Sequence, residues 1–223
     1  MAALTLAHPE ALAPRTQELL ARFGPLPWAE DFYLAGSAAL ALYIGHRPVT
    51  DLELMSNANR LTSPDRRDLL AALQILDPGT WVETARDGYL FSRLGGGVGV
   101  RFFYFPYPLV QPFEDLAGLA VISAVDLGLM KLAAIISRAS RRDFVDLYLL
   151  CREIPLTDLL QAGADKFGHV RDFPLQALKG LADLTGIEGD PMPRLAIPLE
   201  WEEVEAWLRT QVRELGRERV GLG

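Results

Sequence analysis

The sequence predicts an α+β chain, with a small mixed β-sheet and flanking helices in its N-terminal part and a helical C-terminal half. Three observations carry that prediction. An apolar strand runs through a Gly-Ser turn into an Ala- and Leu-rich helix between Phe32 and Ile44. Alternating segments separated by turn residues follow as far as Phe105, and from Ser123 onward the chain reads as successive capped helices.

In chain order, Ala11, Leu12, Leu19, Leu20 and Phe23 mark an amphipathic helix over residues 9–23, ended by Gly24 and Pro25. Phe32 to Ala35 is a short strand, Gly36-Ser37 a tight turn, and Ala38 to Ile44 a helix stopped by Gly45. Residues 49–55 alternate, which puts Asp51, Glu53 and Met55 on one face and Leu52 and Leu54 on the other. Ser63-Pro64 opens a helix, with serine as the cap, that runs through Leu69 to Leu76 and stops at Pro78-Gly79. Trp81 to Thr84 and Tyr89 to Arg93 flank the hairpin signal Asp87-Gly88, and Val98 to Phe105 completes a β-meander. Ser123 with Asp126 opens a helix to about Arg138, and Ser140 with Asp143 opens another that ends near Cys151. Leu159 to Ala164, Pro174 to Leu184 and Leu199 to Leu215 are the remaining helices.

Composition narrows the function classes. Of 223 residues 50% are hydrophobic and 23% charged, enough apolar surface for a packed core and too little charge for disorder. No apolar run approaches the roughly 20 residues of a membrane span, and the N-terminus lacks the pattern of a secretory signal, so a cytoplasmic location and no membrane partner are expected. The formal net charge of -7 argues against a broad basic face for duplex nucleic acid. His8, His46 and His169 are scattered and Cys151 is single, so a metal would be held by oxygen.

Two groups of residues carry chemistry. A Gly36-Ser37 turn at a helix start can offer backbone N–H groups and a hydroxyl to phosphate oxygens. Alternate carboxylates at Asp51 and Glu53 on one strand face can hold Mg²⁺ against a triphosphate, although such acids are also common on a solvated face. In the C-terminal half Lys131, Arg138, Arg141, Arg142 and Arg152 outnumber Asp143 and Asp146. Lys131, Arg138 and Arg142 recur at helical spacing, which suits a triphosphate or an RNA end, and the cap at Ser140 suggests a bend between them. A solvated face of Arg–Asp pairs is the competing reading, and Lys131, flanked by apolar residues, should snorkel unless a phosphate meets it.

Residues 34–42 (Leu-Ala-Gly-Ser-Ala-Ala-Leu-Ala-Leu), Gly45-His46-Arg47 and Asp51-Leu52-Glu53-Leu54 resemble the first motif of the AbiEii/AbiGii toxin family of nucleotidyltransferases. A second block, residues 126–134 with Arg138 and residues 142–148 (Arg-Asp-Phe-Val-Asp-Leu-Tyr), is similar to that family's lysine helix and its following aspartate-tyrosine helix. The resemblance covers roughly residues 30–215. It implies a polymerase-β-like nucleotidyltransferase fold, with a core over residues 1–120 and a helical region over 121–223 packed on the core and closing over the nucleotide. It implies transfer of a nucleoside monophosphate from a nucleoside triphosphate to an acceptor hydroxyl, tRNA in related toxins, with Mg²⁺ as cofactor and an antitoxin as partner. By the same resemblance Asp51, Lys131 and Asp146 would be catalytic. Asp51 and Glu53 would hold metal, and Gly36, Ser37, Lys131, Arg138 and Arg142 would bind nucleotide.

The chain departs from the family pattern at three positions. Where the family has Ser-x-Asp-x-Asp, Val49 stands at the serine and Glu53 at the second aspartate. Glutamate can still bind Mg²⁺, but valine supplies no hydroxyl. The third acid, expected on a later strand, aligns with Arg101 in the segment 98–106. A guanidinium neither ligates a cation nor accepts a proton, and loss of a general base costs roughly 10²–10⁴ in rate. A second expectation follows: a catalytically impaired relative that binds nucleotide or a protein partner, marked by an Arg101 that turns inward and pairs with Asp51 or Glu53.

Overall fold

Leu52 and Leu54 are wholly buried while Glu53 between them is half-buried, so the alternation read from the sequence becomes a real two-sided strand. The computed structural model describes residues 4–220. Seven strands form one mixed sheet: β1 (Tyr33–Ala35), β2 (Leu52–Ser56), β3 (Trp81–Arg86), β4 (Tyr89–Arg93), β5 (Gly99–Tyr104), β6 (Glu114–Leu116) and β7 (Leu119–Val121). Their order across the sheet is β3-β4-β5-β2-β1-β7-β6. The β2–β5 and β1–β7 pairs are parallel and the others antiparallel.

Helices α1 (Pro14–Phe23), α2 (Gly36–Ile44) and α3 (Ser63–Leu76) belong with the sheet. Helices α4 (Ala124–Arg138), α5 (Arg141–Leu150), α6 (Leu156–Lys166), α7 (Phe173–Ala182) and α8 (Trp201–Val220) form a second unit, which also takes in Leu109–Gln111. The sheet unit comprises residues 5–108 and 112–123.

In the sheet unit Phe23, Trp28, Phe32 and Phe102 meet edge-to-face, with ring centroids 5.1 Å apart for Phe23–Trp28 and Phe32–Phe102 and 5.4 Å for Trp28–Phe102. That geometry suits the ring quadrupoles and anchors the sheet from one side. Helix α2 is apolar all round from Ala38 to Tyr43, all of them buried, so its body lies in the interior while Gly36 and Ser37 at its start stay half-exposed. In the helical unit α4 packs against α5, α6 and α7. Gly163 is needed there, because a Cβ on it would lie 2.2 Å from the Phe173 ring.

Several boundaries differ from the sequence reading, for local reasons. Thr62, not Ser63, caps α3: Asp65 accepts from the Thr62 backbone N–H and hydroxyl, each at 2.7 Å. The hairpin β6–β7 was not read at all. It turns at Ala117 and Gly118, both with positive φ (53° and 86°), and alanine is not a residue that announces such a turn. The first predicted helix begins as a short 3₁₀ turn, Pro9–Ala11, before α1. The bend at Ser140 is a break between α4 and α5, with the Ser140 hydroxyl accepting from the Asp143 N–H. Among the described residues no helix is long and apolar enough to cross a membrane.

A buried carboxylate, Asp126, and a half-buried one, Asp77, tie segments together. Asp126 and Lys166, both fully buried, pair at 2.7 Å, and Asp126 also accepts from the backbone N–H groups of Val110 and Gln111 at 3.1 Å. Lys166→Met would leave that carboxylate buried without its cation. The expected loss is about 3 kcal/mol in denaturant unfolding, part of which Asp126→Asn in the same chain should restore; an unchanged midpoint would show the pair to be dispensable.

Asp77, at the C-terminus of α3, accepts from the backbone N–H groups of Gly79 (3.0 Å) and Gly95 (2.9 Å) and from Arg15 (3.1 Å). Burial pushes its pKa up, yet these donors together hold it below the ordinary value. A depressed folded pKa contributes stability that is present above the unfolded value, about 3.9, and is lost as pH falls through the folded one. Asp77→Asn should therefore lower the melting temperature at neutral pH, and the gap from wild type should narrow as pH falls from the unfolded value through the depressed folded one; a gap that stays constant with pH would sink this account.

Candidate functional site

The parallel register of β2 and β5 sets Leu52 beside Val100 on the buried face of the sheet and Glu53 beside Arg101 on the opposite one. Asp51, just before β2, accepts from the Gly99 N–H at 2.9 Å. Only glycine permits this approach, since a Cβ at position 99 would lie 2.8 Å from the carboxylate. The other Asp51 oxygen accepts from Arg101 Nη1 at 2.7 Å, and Arg93 Nη1 lies 3.8 Å from Asp51 Oδ1. Arg101 also sits over the Phe91 ring, its guanidinium carbon 4.1 Å from the centroid. Burial works against the Arg101 charge, but the hydrogen bond and charge of Asp51, helped by the charge of Glu53, raise its pKa above the ordinary value.

Gly36, the first residue of α2, has φ +61°, and a Cβ on it would lie 1.7 Å from Glu53 Oε2. The Glu53 carboxylate therefore rests on the first turn of α2, where unpaired N–H groups favour an anion. The Ser37 hydroxyl accepts from Arg47 Nη2 at 2.7 Å, and Arg47 is itself buried. Glu53 thus lies against Gly36 at the start of α2, Ser37 is engaged by Arg47, and Arg101 turns towards Asp51.

The remaining candidates lie in the helical unit. Lys131 Nζ is 2.8 Å from Asp146 and 3.1 Å from Asp143. Asp143 also accepts from Arg138 Nη1 at 3.1 Å and from the Ser140 hydroxyl at 2.6 Å. Lys131 does not snorkel, because two carboxylates of α5 meet it. Burial lowers its pKa, but Asp146 and Asp143 outweigh that and leave it raised. Arg142 is exposed on α5 and takes no part in this cluster.

Sequence reasoning missed Phe91 and Arg93. They alternate on β4 with the half-buried Tyr89, a pattern visible in the sequence, but alternation alone does not say which side of the sheet faces Asp51. It missed Gly99 as well, whose only signal was its place in a glycine-rich turn.

No protein-family model matches the chain. An uncharacterised protein of Aquifex aeolicus is 29% identical over 210 residues, 91% of this chain and 97% of that protein. MenT4, a nucleotidyltransferase toxin of Mycobacterium tuberculosis H37Rv, superposes with a TM-score of 0.56 at 18% identity, covering 92% of this chain and 86% of its own. The fold is that of the nucleotidyltransferases. A nucleotidyltransferase-class protein of H. pylori agrees, with a TM-score of 0.54 at 16% identity over 95% of this chain and 99% of its own. At these identities it is the fold that is shared.

Gly36→Ala tests the seating of Glu53. The left-handed backbone and the collision with Glu53 together should cost about 2 kcal/mol or more of stability. A loss below about 0.5 kcal/mol, within the ordinary scatter of surface substitutions, would show that Glu53 does not rest there.

Proposed function

We propose that the chain is a nucleotide-binding protein built on the nucleotidyltransferase frame of the AbiEii/AbiGii type, with its transfer chemistry impaired. The observation that carries this reading is the 2.7 Å contact of Arg101 Nη1 with Asp51. Nucleotidyl transfer forms a bond from the acceptor oxygen to the α-phosphorus, breaks the bond to the departing pyrophosphate, and requires something to take the hydroxyl proton. Arg101 stands opposite Glu53 where an acid was expected, and a guanidinium cannot take that proton.

The residues present do not fit a resident Mg²⁺. Asp51 already faces two guanidinium groups, and among the described residues no group of three or more His, Cys, Asp or Glu converges on a metal position. Mg²⁺ needs oxygen ligands in near-octahedral array, and a guanidinium already paired with Asp51 opposes it. The ligand proposed is a nucleoside triphosphate, and for its phosphates to reach the Gly36-Ser37 turn the Glu53 carboxylate that rests there must swing away. In the helical unit the proposed roles of Lys131 and Asp146 in catalysis, and of Lys131, Arg138 and Arg142 in holding the triphosphate, require Lys131 to exchange a carboxylate for a phosphate.

A second reading is an active transferase with tRNA as acceptor and an antitoxin protein as partner. It is favoured by the shared face of Asp51 and Glu53 and by the likeness in fold to a nucleotidyltransferase toxin. It requires the Arg101–Asp51 pair to part.

Calorimetry with each nucleoside triphosphate and labelling of total tRNA from radiolabelled triphosphates separate the two. Binding of at least one triphosphate without incorporation is the expected result. Arg101→Asp, which places a carboxylate opposite Glu53, should raise incorporation above wild type if the arginine alone blocks transfer. Robust labelling by the wild-type chain would establish the second reading, and absence of any triphosphate binding would remove both.

A further inference from the structure

Two guanidinium groups share one aromatic ring. The Phe91 centroid lies 4.1 Å from the Arg101 guanidinium carbon and 5.0 Å from that of Arg93. Both reach Asp51, at 2.7 and 3.8 Å. Together they bring the two positive charges that one divalent ion would bring, set against the negative charges of Asp51 and Glu53 and of Glu83, which takes Arg93 Nε at 3.2 Å. Their side chains are 23% and 31% exposed, so they are held in place and still accessible.

Donors remain unspent. Asp51 engages Nη1 of Arg101, while its Nε and Nη2 have no protein acceptor among the described residues. Arg93 gives Nε to Glu83 and Nη1 to the Gly97 carbonyl, which leaves Nη2. Guanidinium forks of this kind match phosphate oxygens in geometry as well as charge.

We infer that Arg101 and Arg93, seated on Phe91, are a resident cation for Asp51 and Glu53, so that this face takes a polyphosphate group without a divalent ion. The inference rests on the nucleotide-binding reading only in that a phosphate chain is the ligand. A nucleoside triphosphate and a free polyphosphate offer the same chemistry, and the experiment separates them.

Binding of Mn²⁺ to the full chain, without nucleotide, is followed by electron paramagnetic resonance. The wild type is expected to hold no Mn²⁺ that Asp51→Asn removes. Arg101→Ser should gain such a site and Arg101→Lys, which keeps the charge, should not. In EDTA, calorimetry should show tripolyphosphate or a nucleoside triphosphate binding to the wild type, at least tenfold weaker in Arg101→Ser. A nucleoside triphosphate that binds tenfold more tightly than tripolyphosphate identifies the nucleotide as the ligand; equal affinities identify the phosphate chain alone. Wild-type Mn²⁺ binding through Asp51, or polyphosphate binding that appears only when Mg²⁺ is supplied, overturns the inference, as does binding of neither ligand in EDTA. Tripolyphosphate binding without binding of any nucleoside triphosphate leaves the inference standing and counts against the nucleotide reading.

Discussion

The parallel pairing of β2 with β5 decides what the site face can do. Parallel strands in register place Glu53 opposite Arg101 and bring the bare Gly99 backbone to Asp51. A slip by one residue would send Asp51, Glu53 and Arg101 to opposite sides of the sheet. The register is held by Leu52, Leu54, Val100 and Phe102, all wholly buried on the other face. Core packing on one side of the sheet thus fixes the electrostatics of the other. An ion pair as exposed as Arg101–Asp51 contributes little to stability by itself. What makes it definite is the company it keeps, with Phe91 beneath the guanidinium and the Gly99 N–H on the carboxylate.

Helix α2 supplies the second fixed edge. Its body from Ala38 to Tyr43 is buried, which holds the half-exposed first turn in place, and Gly36 there presents its Cα surface to Glu53. A glutamate reaches that surface with one methylene more than an aspartate has, so the side-chain length at position 53 bears on where the negative charge sits. The helical unit solves a similar problem differently. There Lys131 is satisfied by Asp143 and Asp146 from the neighbouring helix, and Arg138 and Ser140 complete the hydrogen bonding of Asp143. Both clusters answer the cost of partly buried charge with paired opposite charge.

Much of this was legible in the sequence where a local rule applied. Alternation gave the shared face of Asp51 and Glu53, and the Gly-Ser turn gave the start of α2 to within two residues, Gly36 and Ser37 being its first residues and not a turn before it; the position of Arg101 came from the family pattern. The unread parts needed information that no local rule contains. Strands β6 and β7 have three residues each, too few for a period to show. The place of Phe91 and Arg93 follows from which side of the sheet β4 presents, a tertiary fact. The partners of Lys131 lie 12 and 15 positions away across a helix break, and spacing arguments hold only within one helix. The cap of α3 slipped by one residue because Thr62 and Ser63 are both good caps, and Asp65, three positions after Thr62, decides between them.

The pair of Asp126 and Lys166 bears on how such a chain can drift. Exchanging either residue alone removes the opposite charge that lies 2.7 Å from the other in a fully buried position. Changing both at once still orphans the amides of Val110 and Gln111, which lean on the same carboxylate. Three separate stretches of the chain therefore constrain a single position. Among descendants of this sequence residues 126 and 166 should change rarely and together.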